Sequence, residues 1–247
     1  MTPLDVQALE KRYGATCAVA GVDFQVRAGE TVALLGGNGA GKTTTIAMIL
    51  GLVRPSAGRV TLFGASATRM GGAVRARMNF QSPYVDLPKR LTVAQNLDVY
   101  ARLYGVADPK TRIAELAEAL DLTGFLNRPT GSLSAGQSTR AGLAKALINA
   151  PALLLLDEPT ASLDPDTADW IRSRLERYCA ETGAAVLLAS HNMAEVERLA
   201  HRVLMMRAGR IVDEGAPQAL IAKYGRANME EVFLHIAREG VAAEATS

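Results

Sequence analysis

Short runs of aliphatic and β-branched residues recur along the chain between polar, turn-forming segments. Residues 31–35 (TVALL) are all β-branched or aliphatic, and residues 153–156 (LLLL) are all leucine, which is typical of buried strands. More mixed runs predict further strands at residues 4–13, 22–27, 58–63, 76–80, 185–189, 203–207 and 211–214. Because helical segments separate many of these strands, the pattern predicts an α/β fold.

Residues 91–148 depart from this alternation and are predicted to be helical throughout. Thr92 and Gln95 form a capping-box pattern, and apolar residues follow at helical spacing as far as Gly105. Asp108-Pro109 begins a second helix with its own apolar stripe. The segment is therefore expected to be a helical insertion between strands.

A glycine-rich segment, Gly36–Thr43 (GGNGAGKT), matches the phosphate-binding pattern G-x-x-x-x-G-K-[ST]. It lies between the strand at 31–35 and a helix predicted at 44–50, so backbone N–H groups and a helix N-terminus would surround an anion. A glycine turn that binds nothing is the alternative, and the flanking strand and helix disfavour it. Lys42 is expected to reach the β- and γ-phosphates. The predicted nucleotide contacts are Gly36, Asn38, Gly39, Gly41, Lys42, Thr43 and Thr44, with the Thr43 hydroxyl on Mg²⁺.

Two carboxylates, Asp157 and Glu158, follow the strand at 153–156 directly. The carboxyl ends of strands are where α/β sheets bind ligands, so both acids are expected to lie at a functional edge. Asp157 is predicted to hold Mg²⁺, and Glu158 to orient and deprotonate a water that attacks the γ-phosphate. The alternative is that two surface acids cap a turn or a helix.

Composition narrows the possibilities only slightly. The 247 residues are 49% hydrophobic and 21% charged, and the net charge of +2 is too small to indicate nucleic-acid binding. The two cysteines stand far apart, which disfavours a disulfide framework. No apolar stretch approaches the roughly 18 residues of a membrane span, and the N-terminus lacks a signal-peptide core. A cytoplasmic protein is therefore expected, with any membrane contact made through a partner.

The segment Leu133–Gln137 (LSAGQ) offers a second anion site. Ser134 and Gln137 form an S-x-x-Q capping box at the start of a helix predicted to run through Leu147. That helix end, with the Ser134 hydroxyl and the Gly136 amide, could bind a phosphate. By itself the segment would be an ordinary capped helix. It nevertheless resembles the signature motif of ATP-binding-cassette (ABC) ATPases.

Taken in order, these motifs make the chain similar to the nucleotide-binding subunit of an ABC transporter. The resemblance implies a P-loop NTPase (RecA-like) α/β core with an antiparallel β subdomain and a helical signature subdomain. One cassette would occupy residues 1–238, with 1–90 and 149–238 as its core and 91–148 as its helical subdomain. Residues 239–247, which are rich in Ala and Glu, would form a flexible tail.

Further residues acquire roles only through this resemblance. Tyr13 would stack on adenine, although a core tyrosine on an edge strand is a competing interpretation. Gln81 stands where the family has a glutamine that senses Mg²⁺ and water, and His191 matches a histidine that contacts the γ-phosphate. Residues 161–164, ending in Asp164, resemble a loop that crosses the dimer interface. The resemblance thus assigns catalysis to Glu158, His191 and Gln81, nucleotide contacts to Tyr13, Ser134, Gly136, Gln137 and Asp164, and Mg²⁺ to Thr43, Gln81 and Asp157.

The family pattern also implies partners. Two cassettes, either two copies of this chain or this chain with a second cassette, would bind two ATP molecules head to tail. A separate transmembrane permease would dock on the segment after Gln81, where Tyr84, Val85 and Leu87 could be apolar anchors, although a plain connecting loop is equally compatible. The subunit would then lie on the inner face of the cell membrane and contact it only through the permease.

Some positions depart from the family pattern. Ala135 replaces a common glycine, Gly37 replaces a frequent proline, and residues 138–140 lack the usual basic and glutamine residues. The end of the chain, including residues 229–234, resembles cassettes of ABC-2-type exporters, which favours export. An importer subunit, a non-transport ABC ATPase and a small-molecule kinase remain alternatives.

Overall fold

The computed structural model describes residues 2–82, 86–161 and 163–244, with side chains as far as Ala237. The chain divides into two compact units, Met1–Met70 with Val186–Ser247, and Gly71–Ala185. No helix within the described ranges is long and apolar enough to cross a membrane. The predicted boundaries of the cassette, its helical subdomain and its tail stay predictions.

The described residues contain strands and helices in alternation, as the sequence pattern predicts. The strands are β1 (Leu4–Tyr13), β2 (Thr16–Val26), β3 (Thr31–Leu35), β4 (Ala57–Leu62), β5 (Ala65–Ser66), β6 (Met78–Gln81), β7 (Leu153–Asp157), β8 (Ala185–Ser190), β9 (Arg202–Arg207) and β10 (Arg210–Gly215). The α-helices are α1 (Lys42–Ile49), α2 (Gly72–Arg75), α3 (Val93–Leu103), α4 (Pro109–Ala119), α5 (Ala135–Leu147), α6 (Pro165–Thr182), α7 (Met193–Leu199), α8 (Pro217–Tyr224) and α9 (Met229–Glu244).

The first unit contains two sheets. Strands β2, β1, β4 and β5 form an antiparallel sheet in that order. In the other sheet, the buried strand β3 lies between β8 and β9 and is parallel to both, with β10 antiparallel at the edge beside β9. Side chains from α7, α8 and α9 pack on this sheet, with Leu35, Met205 and Val232 in one buried cluster. The sheet therefore holds the end of β3 rigidly, and β3 leads directly into the glycine-rich loop.

The second unit contains the parallel pair β6 and β7 together with α2 to α6. Helices α3, α4 and α5 begin where the sequence predicts, because their caps are local. Thr92 and Ser134 both form capping boxes, with Gln95 and Gln137, and the Asp108 side chain accepts a hydrogen bond from the Thr111 amide.

One edge of β6 is satisfied by side chains rather than by another strand. The Arg77 carbonyl accepts hydrogen bonds from the amides of Ala152 and Leu153, so alternate carbonyls along β6 point away from β7. Asn149 Nδ2 donates to the carbonyls of Ala76 and Met78, at 2.8 and 3.1 Å. The Lys145 Nζ atom donates to the Phe80 carbonyl at 2.7 Å.

Lys145 is 7% exposed, which is unusual for a lysine. Burial lowers its pKa from the ordinary 10.5 to about 8. The unfolded chain therefore binds more protons than the folded chain between these two values, and stability rises with pH in that window.

This shift gives a measurable expectation. Relative to Lys145→Met, the free energy of unfolding of the wild type should increase by about 2 kcal/mol between about pH 7.5 and about pH 9.5. Urea unfolding of both proteins at several pH values measures the difference. A constant difference across this range would contradict the lowered pKa.

Candidate functional site

The glycine-rich loop wraps around the ammonium group of Lys42. The Lys42 Nζ atom donates to the carbonyls of Gly36 and Gly37, at 2.6 and 3.2 Å. Gly41 precedes α1 with a left-handed φ of 104°, and Thr43 is exposed at the first turn of that helix. The loop thus presents a cation and a helix N-terminus at one place, as anion binding requires.

Two of the loop glycines leave no room for a side chain. A Cβ atom at Gly36 would lie 2.5 Å from the Met206 carbonyl oxygen and 2.8 Å from the Ala40 Cβ atom. At Gly41 it would lie 2.6 Å from the Ala18 carbonyl oxygen. The loop backbone therefore packs directly on the neighbouring strands, which fixes its shape.

His191 lies on the same edge of the sheet as this loop. In the parallel pairing of β3 and β8, Leu35 is opposite Ser190, so Gly36 and His191 follow adjacent strand ends. Ser190 is fully buried, and its Oγ atom accepts a hydrogen bond from the Asn192 amide at 3.0 Å. The turn that carries the exposed His191 is therefore anchored next to the origin of the loop.

Tyr13 stands at the end of β1, in the same unit. Its side chain is 51% exposed, which excludes the core position that the sequence left open. The Lys11 Nζ atom lies 4.8 Å from the ring centroid and also donates to the Arg54 carbonyl. The Tyr13 ring is thus held at the surface, where a planar group could stack on it.

The acidic pair lies in the second unit, at the carboxyl end of β7. Gln81 is opposite Leu156 in the parallel pair of β6 and β7, so Gln81 and Asp157 are neighbours across the strands. Both side chains are buried, at 9% and 5% exposure. Glu158 follows with a left-handed φ of 52°, which is rare for a residue with a Cβ atom. The strained turn aims Glu158 differently from the strand before it.

The signature-like segment begins α5. The Gln137 amide donates to Ser134 Oγ at 3.3 Å, and the Ser134 amide donates to Gln137 Oε1 at 3.2 Å. Ser134 is exposed, and its hydroxyl hydrogen can still be donated to a ligand. The capping box therefore orders the N-terminus of this thirteen-residue helix and leaves it open to an anion.

Helices α5 and α6 are joined by close packing. A Cβ atom at Gly136 would lie 3.3 Å from the Thr167 methyl group. Further along, Trp170 is contacted by the guanidinium groups of Arg140 and Arg174, whose carbon atoms lie 4.3 and 4.9 Å from its ring. The starts of the two helices are thereby fixed relative to each other.

Asp164 has a structural role that the sequence analysis missed. Its side chain caps α6 by accepting a hydrogen bond from the Thr167 amide at 2.9 Å, which lowers the pKa of Asp164. The pattern Asp-Pro-x-Thr contained this signal, since Asp108-Pro109 predicts a cap in the same way. This capping contact does not test whether Asp164 lies at a dimer interface, so that role stays a prediction.

Other predicted positions fall outside the described residues. Tyr84 and Val85, two of the three suggested permease anchors, lie there, and so does Ser162 in the loop before Asp164. Leu87 is described and half-buried. The nearby backbone is held by Thr130, whose hydroxyl donates to the Pro88 carbonyl at 2.9 Å.

Comparison with known proteins decides the family. The family model described as "ABC transporter" matches residues 19–161, which is more than half of the chain. The chain belongs to the ABC transporter family. It is the ATP-binding subunit of such a transporter and an ABC-type ATPase, and its fold is that of the ABC cassette.

Several relatives of this ABC ATPase carry the same description. It is 38% identical to "Nod factor export ATP-binding protein I" of Burkholderia orbicola over 94% of this chain and 77% of that protein. It is 40% identical to the protein of that name from Rhizobium johnstonii, over 88% of this chain and 70% of the relative.

Solved structures show the same fold. "Structure of ATP binding subunit of ABC transporter" superposes with a TM-score of 0.87 at 28% identity, covering 96% of this chain and all of that one. The structure of cbiO1 from Clostridium perfringens, described as part of the ABC transporter complex cbiONQ, gives 0.79 at 29% identity and covers 98% and 99%.

Proposed function

We propose that this ABC ATPase binds and hydrolyses ATP to drive export through a separate permease. The observation that carries the proposal is the rigid loop around Lys42, with a helix N-terminus behind it. Two of its glycines have no room for a Cβ atom, and a loop built so tightly suits the close approach of backbone to phosphate. The export direction is supported by relatives that are named as export ATP-binding proteins.

In this proposal, the loop and Lys42 bind the β- and γ-phosphates, while Gly36, Asn38, Gly39, Gly41, Thr43 and Thr44 provide backbone or hydroxyl contacts. Thr43, Gln81 and Asp157 would hold Mg²⁺. The fit is chemically reasonable, because hydroxyl, amide and carboxylate oxygens are ligands that Mg²⁺ takes, and Gln81 and Asp157 end adjacent strands. Bound Mg²⁺ would neutralise phosphate charge.

Glu158 is proposed as the general base. Its carboxylate would accept a proton from the attacking water, and His191, which directly follows the strand next to β3, would contact the γ-phosphate. The left-handed backbone at Glu158 supports this role, since strained backbone is often found at reacting positions.

We further propose that ATP is bound between two cassettes, with Ser134, Gly136, Gln137 and Asp164 of one chain facing the nucleotide on the other. The exposed, ordered N-terminus of α5 supports this arrangement. The partner is a second copy of the chain or a different cassette.

Mixing two inactive variants tests this arrangement directly. Lys42→Ala removes the phosphate contact, and Ser134→Arg blocks the signature helix. Each variant should be inactive by itself, whereas a mixture should recover up to about a quarter of the wild-type ATPase rate, because mixed dimers contain one intact site. If mixed dimers form without any recovery, loop and signature do not act between chains.

We propose that the subunit is cytoplasmic and peripheral on the inner face of the membrane, which it contacts through the permease. The docking segment follows Gln81. Replacing Tyr84 and Leu87 with Glu should reduce co-purification of the permease at least about tenfold while basal ATPase activity stays near wild type, because apolar anchors carry most of such an interface. Unchanged co-purification would contradict the docking segment, and the surface variant Leu52→Glu is a matched control.

Tyr13 is proposed to stack on adenine. Tyr13→Ala should weaken ATP binding about fivefold, since an aromatic stacking contact contributes about 1 kcal/mol. Tyr13→Phe keeps the ring and should bind like the wild type. Calorimetric titration with ATP, and with inorganic triphosphate as a ligand without a base, measures both effects. An equal loss with inorganic triphosphate would contradict stacking.

A further inference from the structure

Side chains hydrogen-bond to the edge of β6 that faces away from β7, as far as the residue immediately before Gln81. Asn149 satisfies the carbonyls of Ala76 and Met78, and Lys145 satisfies the carbonyl of Phe80. These three carbonyls alternate along one edge, so side chains from α5 and its end take the place of a neighbouring strand. The last of these contacts is made one residue before Gln81.

Lys145 is held firmly in this position. It is 7% exposed, and its Nζ atom lies 2.7 Å from the Phe80 oxygen and 5.5 Å from the centroid of the Tyr100 ring. The Lys145 carbonyl accepts a hydrogen bond from Asn79 Nδ2 at 3.1 Å, so β6 and α5 are linked in both directions. A buried donor with such fixed partners holds the Phe80 carbonyl, and with it the end of β6, in one position.

The Gln81 side chain itself also lies on α5. A Cβ atom at Gly142 would lie 2.6 Å from Gln81 Nε2 and 3.0 Å from Gln81 Oε1. The carboxamide therefore rests on the helix one turn before Lys145. The same helix supports the backbone before Gln81 and its side chain.

We propose that Lys145 is a positioning residue for Gln81: its ammonium group fixes the Phe80 carbonyl and thereby orients the Gln81 carboxamide for the ATPase reaction. This inference rests on the proposed function of Gln81. Because Lys145 acts on the reaction only through Gln81, its removal should lower kcat without changing ATP binding.

The variants are chosen to separate positioning from folding. Lys145→Met fills the same space but cannot donate to Phe80, and Lys145→Arg restores a cationic donor. Lys145→Gln has a side chain shorter by one bond, so its amide does not reach as far towards the Phe80 carbonyl. This variant replaces Lys145→Met in the experiment if the Met variant does not fold. Asn149→Ala is the matched control, because it frees carbonyls on the same strand edge further from Gln81.

Steady-state ATPase kinetics and thermal unfolding are measured for each full-length variant. Lys145→Met should lower kcat about tenfold with KM for ATP unchanged within about twofold, and Lys145→Arg should keep at least about half of kcat. Asn149→Ala should lower the melting temperature but keep kcat. In a Gln81→Ala background, Lys145→Met should cause no further loss of kcat, since the two residues act through one group.

Two results would overturn the inference while leaving the proposed function intact. The first is that Lys145→Met keeps the kcat of the wild type although Gln81→Ala lowers it. The second is that the losses of kcat from the two single variants add in the double variant. Full activity of Gln81→Ala would instead remove the proposed role of Gln81, and the inference with it.

Discussion

Glu158→Gln is expected to lower the steady-state ATPase rate at least about 100-fold, because a carboxamide cannot accept the proton of the attacking water. ATP binding should persist within about twofold, since the substitution keeps size and hydrogen-bonding shape and Glu158 is not part of the glycine-rich loop. Glu158 is half-buried and follows the buried Asp157, so the substitution should not disturb the core.

If two cassettes enclose ATP, this variant should accumulate as an ATP-bound dimer. Size-exclusion chromatography with light scattering, with and without ATP, measures the change from 26.2 kDa to twice that mass. The double variant Glu158→Gln/Ser134→Arg is the control, because it keeps the loop but blocks the signature helix. It should bind ATP and stay monomeric.

The absence of a shift would be informative if ATP binding were demonstrated in the same sample. The second half of the site would then come from a different cassette or require the permease, or Ala135 would impair the signature. A shift that persisted in the Ser134→Arg control would contradict the proposed interface and point to another dimerisation surface.

Local rules explain most of what the sequence predicted correctly. Strand β3 is buried throughout and occupies the predicted residues 31–35. Both capping boxes are formed, and the loop of Gly36–Thr43 joins a strand to a helix as its motif requires. In each case the signal lies within a few residues of the feature that it specifies.

The features that the sequence did not reveal depend on tertiary contacts. Strand β2 begins at Thr16, before the predicted start at residue 22, because pairing with β1 extends it past several register shifts. Lysine is a residue type usually found at the surface, and only the packing of Lys145 against Phe80 in the structure shows that it is buried. The left-handed backbone at Glu158 likewise has no local signal, since such conformations usually belong to glycine.

Gly36→Ala is expected to be far more harmful than the same change at the adjacent Gly37. The new Cβ atom at Gly36 would meet the Met206 carbonyl oxygen at 2.5 Å. The Met206 backbone cannot move without distorting β9, and Ala40 cannot move without distorting the loop. At Gly37 a Cβ atom has nothing within 4 Å, and φ does not require glycine. The two positions thus differ in packing while sharing the same loop and the same chemistry.

Overpacking of this kind destabilises a protein by about 1–3 kcal/mol, and a displaced loop would also lose its phosphate contacts. Gly36→Ala should therefore lower the melting temperature and weaken ATP binding at least about tenfold, whereas Gly37→Ala should resemble the wild type in both. Calorimetric titration with ATP and thermal unfolding test the pair. Equal losses at both positions would mean that loop flexibility, and not the contact with Met206, makes glycine necessary. Wild-type binding by Gly36→Ala would mean that phosphate recognition tolerates a displaced loop, and the proposed geometry of ATP binding would be wrong.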